Sequence, residues 1–219
     1  MRMLENRVQA GKLLAKKLLK LHLDRPVVIA LPRGGVPVAA QIAERLQAPL
    51  DVLVVCKVGA PGHPEYGIGA VTEEGPEWLN REAIRAIGIS ESQLSWLLEK
   101  ELKKVVSRVR RYRGDRPLMS VEDRTVILVD DGLATGVTAL AAIQYLKHLG
   151  AKNVTVAIPI CARETEALLR FQIEHVVFLE APEPFFAVGQ AYLDFPQVSD
   201  EEVVTLLSGF EPQLRSGAV

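Results

Sequence analysis

The stretch VILVDDGLATGVTAL, residues Val126–Leu140, is the most informative part of the sequence about the fold. Its first four residues are apolar and mostly β-branched, which predicts a buried strand that ends at Asp130 and Asp131. Gly132 permits a sharp turn after the strand, and the following residues predict a helix over 137–149. A strand, turn and helix with carboxylates at the end of the strand is typical of α/β proteins, whose ligands bind outside the carboxyl ends of parallel strands.

Strand and helix patterns alternate outward from this stretch in both directions. The alternation predicts a three-layer α/β/α fold with a mainly parallel, Rossmann-like central sheet, in one domain over residues 1–219. The predicted strands are Val27–Leu31, Asp51–Lys57, Ile68–Thr72, Val126–Asp130, Val154–Ile158 and Val176–Leu179, and the predicted helices cover residues 4–21, Pro37 to about Leu46, 80–113 and 137–149. Residues Gly59–Gly69 contain too many Gly and Pro residues for regular structure, which predicts a mobile loop.

The composition is that of an ordinary globular protein. The chain has 219 residues, of which 48% are hydrophobic and 24% charged, and its net charge is −1. A charge near zero argues against broad electrostatic binding to nucleic acid. No apolar run approaches the roughly 20 residues that cross a bilayer, and lysines interrupt the N-terminal apolar stretch, so we expect a cytoplasmic protein without membrane contact. Cys56 and Cys161 have no metal-ligand spacing, which indicates a buried, reduced pair.

The residues after the central strand suit a sugar phosphate. Consecutive strand residues point to opposite faces, so Asp130 and Asp131 can accept hydrogen bonds from one ribose diol only if the chain turns there. Beyond them, Leu133–Thr138 would present backbone N–H groups and the hydroxyls of Thr135 and Thr138 at a helix N-terminus, where phosphate binds readily. The chain has no Gly-x-x-x-x-Gly-Lys run, and no Gly-x-Gly-x-x-Gly follows either of its first two strands. The alternative is a strand–turn–helix unit with two solvated aspartates.

This motif resembles the signature of the type I phosphoribosyltransferases, in which a hydrophobic strand is followed by Asp-Asp, Ala-Thr-Gly and a further threonine. The family transfers the 5-phosphoribosyl group of 5-phosphoribosyl-1-pyrophosphate (PRPP) to a nitrogenous base, with Mg²⁺ held mainly by substrate oxygens. The resemblance implies that Asp130 and Asp131 bind the ribose hydroxyls, and it implies a homodimer. It also implies a 5′-phosphate site at Gly132, Leu133, Ala134, Thr135, Gly136, Val137 and Thr138.

A second glycine-containing loop follows the first predicted strand. Gly34 and Gly35 let backbone N–H groups approach an anion, and Arg33 offers a bidentate group for phosphate oxygens. A glycine turn beside a solvated arginine explains the pattern equally well, but the resemblance implies a pyrophosphate loop here. Lys57 ends the second predicted strand at the same sheet edge and could neutralise the same anion. The resemblance further implies that the loop Gly59–Gly69 closes over the active site.

The C-terminal segment, about residues 181–219, resembles the hood of the purine-salvage members of the family. Carried over, Phe186 would stack on the base, a backbone group near Val188 would read its edge, and Asp194 would lie nearby. An aromatic hinge packed on the core explains these residues about as well. Ala134 stands where hypoxanthine and guanine enzymes carry an aspartate, so the acceptor base, purine or pyrimidine, stays open.

A helical insert at about residues 75–120, with Arg110–Arg113 near its end, matches none of the well-studied members of the family. Ser90 and Gln93 predict a capping box within it. Its predicted buried face consists of Leu94, Leu97, Leu98, Leu102, Val105, Val106 and Val109. Two other functions stay open: a regulator that binds PRPP without catalysis, against which Arg33 and Lys57 count, and a structural protein on the same fold.

Overall fold

The computed structural model describes residues 3–210, so residues 1, 2 and 211–219, the last of which were expected in the hood, lie outside the described residues. The described part of the chain holds eight β-strands and seven α-helices. The strands are β1 (Pro26–Ala30), β2 (Leu50–Val52), β3 (Cys56–Ala60), β4 (His63–Thr72), β5 (Gly75–Leu79), β6 (Thr125–Val129), β7 (Asn153–Ile160) and β8 (His175–Glu180). The helices are α1 (Arg7–Leu18), α2 (Gly35–Leu46), α3 (Arg81–Ile87), α4 (Glu91–Arg113), α5 (Val137–His148), α6 (Arg163–Arg170) and α7 (Asp200–Ser208).

A five-stranded parallel sheet in the order β2–β1–β6–β7–β8 forms the middle layer. Successive residues of its strands point to opposite faces of the sheet and pack in different cores. Val28 and Ile127 join the core that includes α1, α2 and α7, whereas Ile29 and Leu128 join the core that includes α5 and α6. Because both faces are covered, the strands are apolar almost throughout, and all five residues of β6 are buried. The predicted three-layer α/β/α fold is confirmed.

A smaller antiparallel sheet in the order β3–β4–β5 corrects two predictions. The predicted strand Asp51–Lys57 is two strands, β2 and β3, and Lys57 lies in the second. The predicted loop Gly59–Gly69 belongs to the β3–β4 hairpin, so the prediction of irregular structure is wrong. Gly59 is needed there for close packing, because a Cβ at this position would lie 2.4 Å from the Pro64 carbonyl oxygen.

Helices α1 and α2 differ from their predicted bounds at the first residue. The Asn6 side chain accepts a hydrogen bond from the Gln9 N–H at 2.9 Å and caps α1, which therefore begins at Arg7 and not at residue 4. Helix α2 begins at Gly35, two residues before Pro37. The proline still lies in the first turn, where a missing N–H breaks no helical hydrogen bond.

The segment expected to be a helical insert is helical only in part. It begins with strand β5, and its helices α3 and α4 are separate because Gly88 has a left-handed φ of +75°. The capping box of Ser90 and Gln93 is present as predicted. The predicted apolar face packs on the core except at Val106, whose side chain is exposed.

The basic residues at the end of α4 join this helix to its neighbours. Arg111 donates to Asp200 of α7 at 2.7 Å, and the Tyr112 hydroxyl donates to the same carboxylate. Arg113 is buried and pairs with Glu73 in the turn after β4. These contacts hold α4 on α7 and on the small sheet, so three residues of the Arg110–Arg113 run have a packing role.

The chain returns from α4 to the main sheet past Asp51, a fully buried carboxylate in β2. Arg116 donates two hydrogen bonds to it, at 2.7 and 2.8 Å, and the N–H groups of Met119 and Val52 donate at 3.0 and 2.9 Å. A buried carboxylate is stable only when it is paired and hydrogen-bonded. Asp51 therefore fixes the segment between α4 and β6 on the edge of the sheet.

We expect Asp51→Asn to lower the free energy of unfolding by about 1.5–3 kcal/mol, because it replaces charge-assisted hydrogen bonds with Arg116 by neutral ones while keeping the side-chain shape. Urea unfolding followed by circular dichroism at pH 7 measures this change. The matched control is Glu99→Gln, which breaks an exposed ion pair with Lys103 on α4 and should leave stability unchanged. Equal effects of the two substitutions would contradict this role of Asp51.

Candidate active site

Two loops meet at the carboxyl edge of the main sheet. Strands β1 and β6 are adjacent and in register, with Ala30 opposite Val129, so the segments that follow them lie side by side. A Cβ on Gly34 would lie 1.9 Å from the Asp131 Oδ2 atom, and a Cβ on Gly35 would lie 2.7 Å from the Val129 carbonyl oxygen. Only glycine fits at either position, because the loop after β1 is pressed against the end of β6.

Asp130 and Asp131 are neighbouring carboxylates with little access to water. The Asp131 N–H donates to the Asp130 Oδ1 atom at 2.8 Å, which fixes the turn directly after β6. Burial raises the pKa of Asp130 well above its ordinary value, and the adjacent Asp131 carboxylate raises it further. Burial also raises the pKa of Asp131, but the charge of Arg7 opposes that shift. Arg7 is thus the main group that favours the ionised form of Asp131.

Arg7 reaches this pair from the first residue of α1. Its Nε and Nη2 atoms each lie 2.8 Å from Asp131 Oδ2, and its Nη1 atom donates to the Pro196 carbonyl at 2.7 Å. The guanidinium also lies over the Phe195 ring, 3.7 Å from the ring centroid. The sequence pattern did not predict a role for Arg7. The signal that could have found it is helical spacing, because Arg7 lies seven residues before Leu14 on the buried face of α1.

The loop after the two carboxylates is anchored on the end of β7. The Leu133 N–H donates to the Ile160 carbonyl at 2.9 Å, and the Thr165 hydroxyl donates to the Ala134 carbonyl. Gly136 has a φ of +69°, a left-handed conformation that glycine adopts without strain. These contacts fix the position at which α5 begins.

The exposed part of this loop has the donors that an anion requires. Ala134 and Thr135 face solvent. The first N–H groups of α5 have no partner within the helix and carry partial positive charge. Together with the hydroxyls of Thr135 and Thr138, the segment Gly132–Thr138 can therefore bind a phosphate group.

Lys57 approaches the same edge from an unexpected element. It lies in β3 and not at the end of a strand of the main sheet. A Cβ on Gly67 would lie 3.2 Å from the Lys57 Cδ atom and 3.7 Å from a Val137 methyl group. The aliphatic stem of Lys57 and the first residue of α5 therefore flank the same glycine, which brings the small sheet next to the start of α5.

Arg33 follows β1, after a cis peptide bond with Pro32. The pKa of Asp200 is lowered first by the hydrogen bond from Tyr112 and then by the charges of Arg111 and Arg33. Helices α4 and α7 therefore lie close enough to the loop after β1 for the charge of Arg33 to act on Asp200. The sequence pattern did not indicate this proximity.

Residues 188–195 of the hood cover the two carboxylates. A Cβ on Gly132 would lie 2.4 Å from the Val188 Cγ1 atom, and the Tyr192 hydroxyl donates to the Asp131 carbonyl at 2.7 Å. The N–H of Leu4 donates to the hood at 2.8 Å, and its carbonyl accepts from the hood at 2.8 Å. The N-terminal segment thus holds the hood over the end of β6.

The other predicted hood residues lie farther out. The Phe186 side chain is 81% exposed. Asp194 is also exposed, and its N–H donates to the Glu5 carbonyl at 2.9 Å. Helix α7, which was expected in the hood, packs on α2 and α4 instead. Of the three predicted base-binding residues, the structure therefore brings Val188 into contact with the loop after β6.

Within residues 3–210, no group of His, Cys, Asp and Glu side chains has the arrangement of a metal site. No helix in the same range combines the length and apolar character needed to cross a membrane. Both cysteines are buried and free, as expected.

Known proteins similar to this chain point to one family. A sequence model of the phosphoribosyl transferase domain matches residues 3–194. The Mycobacterium tuberculosis protein named "Putative phosphoribosyl transferase Rv0571c" is 42% identical over 207 residues, which are 94% of this chain and 47% of that protein. The chain thus spans about half the length of the curated relatives it matches. The crystal structure of TT1426 from Thermus thermophilus is 42% identical with a TM-score of 0.83, and the match covers 96% of this chain and 99% of that one.

We expect Asp130→Asn to raise the free energy of unfolding at pH 7. Because folding raises the pKa of Asp130, the folded chain holds the proton to a higher pH than the unfolded chain, so stability falls as pH rises above about 4. Urea unfolding at pH 7 and pH 4 should show a gain for the variant at pH 7 that shrinks at pH 4.

The exposed residue Asp115 offers the matched control, since Asp115→Asn should show no such pH-dependent gain. A loss of stability at pH 7 in Asp130→Asn would show that the ionised form of Asp130 does not destabilise the folded chain.

Proposed function

The chain belongs to the phosphoribosyl transferase domain family, and we propose that it transfers the 5-phosphoribosyl group of PRPP to a nitrogen atom of a purine or pyrimidine base. In this reaction the bond between C1 of the ribose and the pyrophosphate oxygen breaks, and a bond from the base nitrogen to C1 forms. Pyrophosphate leaves with the electron pair of the broken bond, and the proton of the base nitrogen passes to solvent water. The observation that carries the proposal is the carboxylate pair directly followed by an anion-binding loop.

The ribose would bind at Asp130 and Asp131. Ionised carboxylates have about four acceptor positions each, so Asp131 can accept from a ribose hydroxyl while Arg7 occupies its Oδ2 atom. The negative charge of the pair would also stabilise the positive charge that develops on the sugar as the bond to pyrophosphate lengthens.

The two phosphate-bearing ends of PRPP would bind on either side of the carboxylates. The 5′-phosphate would bind at Gly132–Thr138 and accept hydrogen bonds from the amides of residues 134–138 and from the hydroxyls of Thr135 and Thr138. The Leu133 N–H is not available, because it donates to the Ile160 carbonyl. The pyrophosphate would lie at the loop Arg33–Gly35, with Lys57 adding a second positive charge. Donors aimed at the leaving group are most effective where charge develops in the transition state.

Mg²⁺ is compatible with this arrangement. The described residues contain no cluster that would hold the ion alone, and Mg²⁺ commonly binds through substrate phosphates and water with few protein ligands. When bound, it would neutralise the charge of the leaving pyrophosphate. The chain would contribute by holding the ribose and phosphate oxygens that act as its ligands.

The acceptor base would bind beneath the hood. Val188 lies against Gly132, next to the ribose position, and the exposed Phe186 ring is available to stack on a base. Asp194 completes the predicted set. Ala134 gives the loop no carboxylate toward the base, so the proposal extends to purines and pyrimidines alike. The homodimer implied by the resemblance stays a prediction.

An assay with Mg²⁺, PRPP and a panel of bases, followed by pyrophosphate release, tests this function. We expect turnover with at least one base and PRPP-dependent protection against thermal unfolding. Protection without turnover for any base would favour the PRPP-binding regulator, and the lack of both would contradict the proposal.

We expect the double variant Asp130→Asn with Asp131→Asn to weaken PRPP binding by about 100-fold or more, because two charge-assisted hydrogen bonds to the ribose are lost. Isothermal titration calorimetry with Mg²⁺ and PRPP measures the affinity. Asp115→Asn with Asp123→Asn, two exposed aspartates, provides the matched control. Unchanged affinity in the first variant would show that the ribose binds elsewhere.

We expect Lys57→Met to lower kcat by about 100-fold with a smaller change in the KM for PRPP, because the pyrophosphate charge grows in the transition state. Steady-state kinetics separates the two parameters. Lys103→Met, which removes an exposed lysine of α4, should change neither. A rise in KM alone would assign Lys57 to ground-state binding and exclude this role in the transition state.

A further inference from the structure

The side chain of Arg7 is almost buried and connects helix α1, near the N-terminus, to the loop that follows β6. Its side chain is 9% exposed, and that of its partner Asp131 is 15% exposed. Its Nε atom donates to Oδ2 of Asp131, its Nη2 atom lies 2.8 Å from the same oxygen as an ion pair, and its Nη1 atom donates to the Pro196 carbonyl. A buried guanidinium held by three nitrogens has one orientation, so the carboxylate it binds is fixed as well.

The carboxylate pair requires such a cation. Asp130 and Asp131 are adjacent, and two neighbouring carboxylates away from water cannot both ionise without a compensating charge. The charged or titratable groups that act on Asp131 from the elements packed around it are Asp130, Arg7 and the Tyr192 hydroxyl. Arg7 is the cation in this set.

Arg7 also links the pair to the hood. Its guanidinium lies over the Phe195 ring, which stacks on Tyr192 with ring centroids 4.8 Å apart. The Tyr192 hydroxyl returns to the Asp131 carbonyl. Both the carboxylate and the carbonyl of Asp131 are therefore fixed by one cluster, Arg7–Phe195–Tyr192, formed by the first helix and the hood.

We propose that Arg7 is a positioning residue for ribose binding: it fixes Oδ2 of Asp131 and connects this carboxylate to the hood. This inference rests on the proposed function, because it assigns the ribose to Asp131. Arg7 acts through Asp131 and touches no reacting atom.

Arg7→Met keeps most of the side-chain volume and removes the charge. We expect the dissociation constant for PRPP to rise about 10- to 100-fold at pH 7.5, because the buried carboxylate loses its partner. Without Arg7 the carboxylates also protonate at a higher pH, so the loss of affinity on acidification should begin at a higher pH than in the wild type. Titration calorimetry with Mg²⁺ and PRPP between pH 5.5 and 8.5 measures both effects, and the titration of PRPP itself cancels in the ratio of variant to wild type.

Two further variants separate positioning from folding. Arg7→Lys keeps the charge and loses the fork, so we expect it to restore the wild-type pH profile while affinity recovers only in part. Lys12→Met removes an exposed charge from the same helix and should change neither affinity nor profile. Thermal unfolding shows whether Arg7→Met folds. If it does not, Arg7→Lys is compared with the wild type, and we expect a partial loss of affinity for PRPP with an unchanged pH profile.

The outcomes distinguish this inference from the function on which it rests. Failure of the wild type to bind PRPP would overturn the proposed function and the inference with it. PRPP binding by the wild type, with an Arg7→Met or Arg7→Lys variant of equal affinity, would overturn the inference alone. A loss of affinity that is equal at every pH in Arg7→Met would also overturn it, because that result indicates a packing role only.

Discussion

Two carboxylates held side by side away from water are the constraint on which the rest of this structure depends. Asp130 and Asp131 end the central strand, and their neighbours are arranged to tolerate them. Gly34 lacks a side chain where the Asp131 carboxylate lies, and Arg7 crosses from the first helix to neutralise it. Without these adjustments, burial of the pair would oppose folding. Carboxylates with raised pKa values are common at functional sites, and we propose that this pair serves a ligand.

The order of the strands places the neighbouring loops around the two carboxylates. Because β1 and β6 are neighbours, the loops that follow them face one another across the carboxylates, and β7 on the other side supports the loop that begins α5. The small sheet brings Lys57 toward the same edge, and the hood closes the site through Val188. We propose that a ribose flanked by two phosphate groups binds here, with the carboxylates between the loop after β1 and the loop after β6.

Features coded by neighbouring residues could be predicted, whereas features that depend on distant residues could not. The strand, turn and helix of Val126–Leu140 follow from the local hydrophobic pattern. The three-layer fold follows from the alternation of such strands and helices along the chain. The Gly59–Gly69 segment was misread because its glycines suggest flexibility, while in the structure Gly59 permits close strand pairing. Arg7 was missed because its partner lies 124 residues away. Lys57 was predicted to end a strand of the main sheet, but it lies in β3 of the small sheet.

Hydrogen–deuterium exchange with and without saturating PRPP and Mg²⁺ tests most directly whether the loop after β6 is the binding site for the sugar phosphate. We expect slowed exchange at the amides of residues 131–138 and 33–35, which would bond to the phosphate groups or lie beneath them. The amides at the opposite edge of the sheet, before β6 and β7, should not change. Saturated binding with unchanged exchange in residues 131–138 would contradict the account.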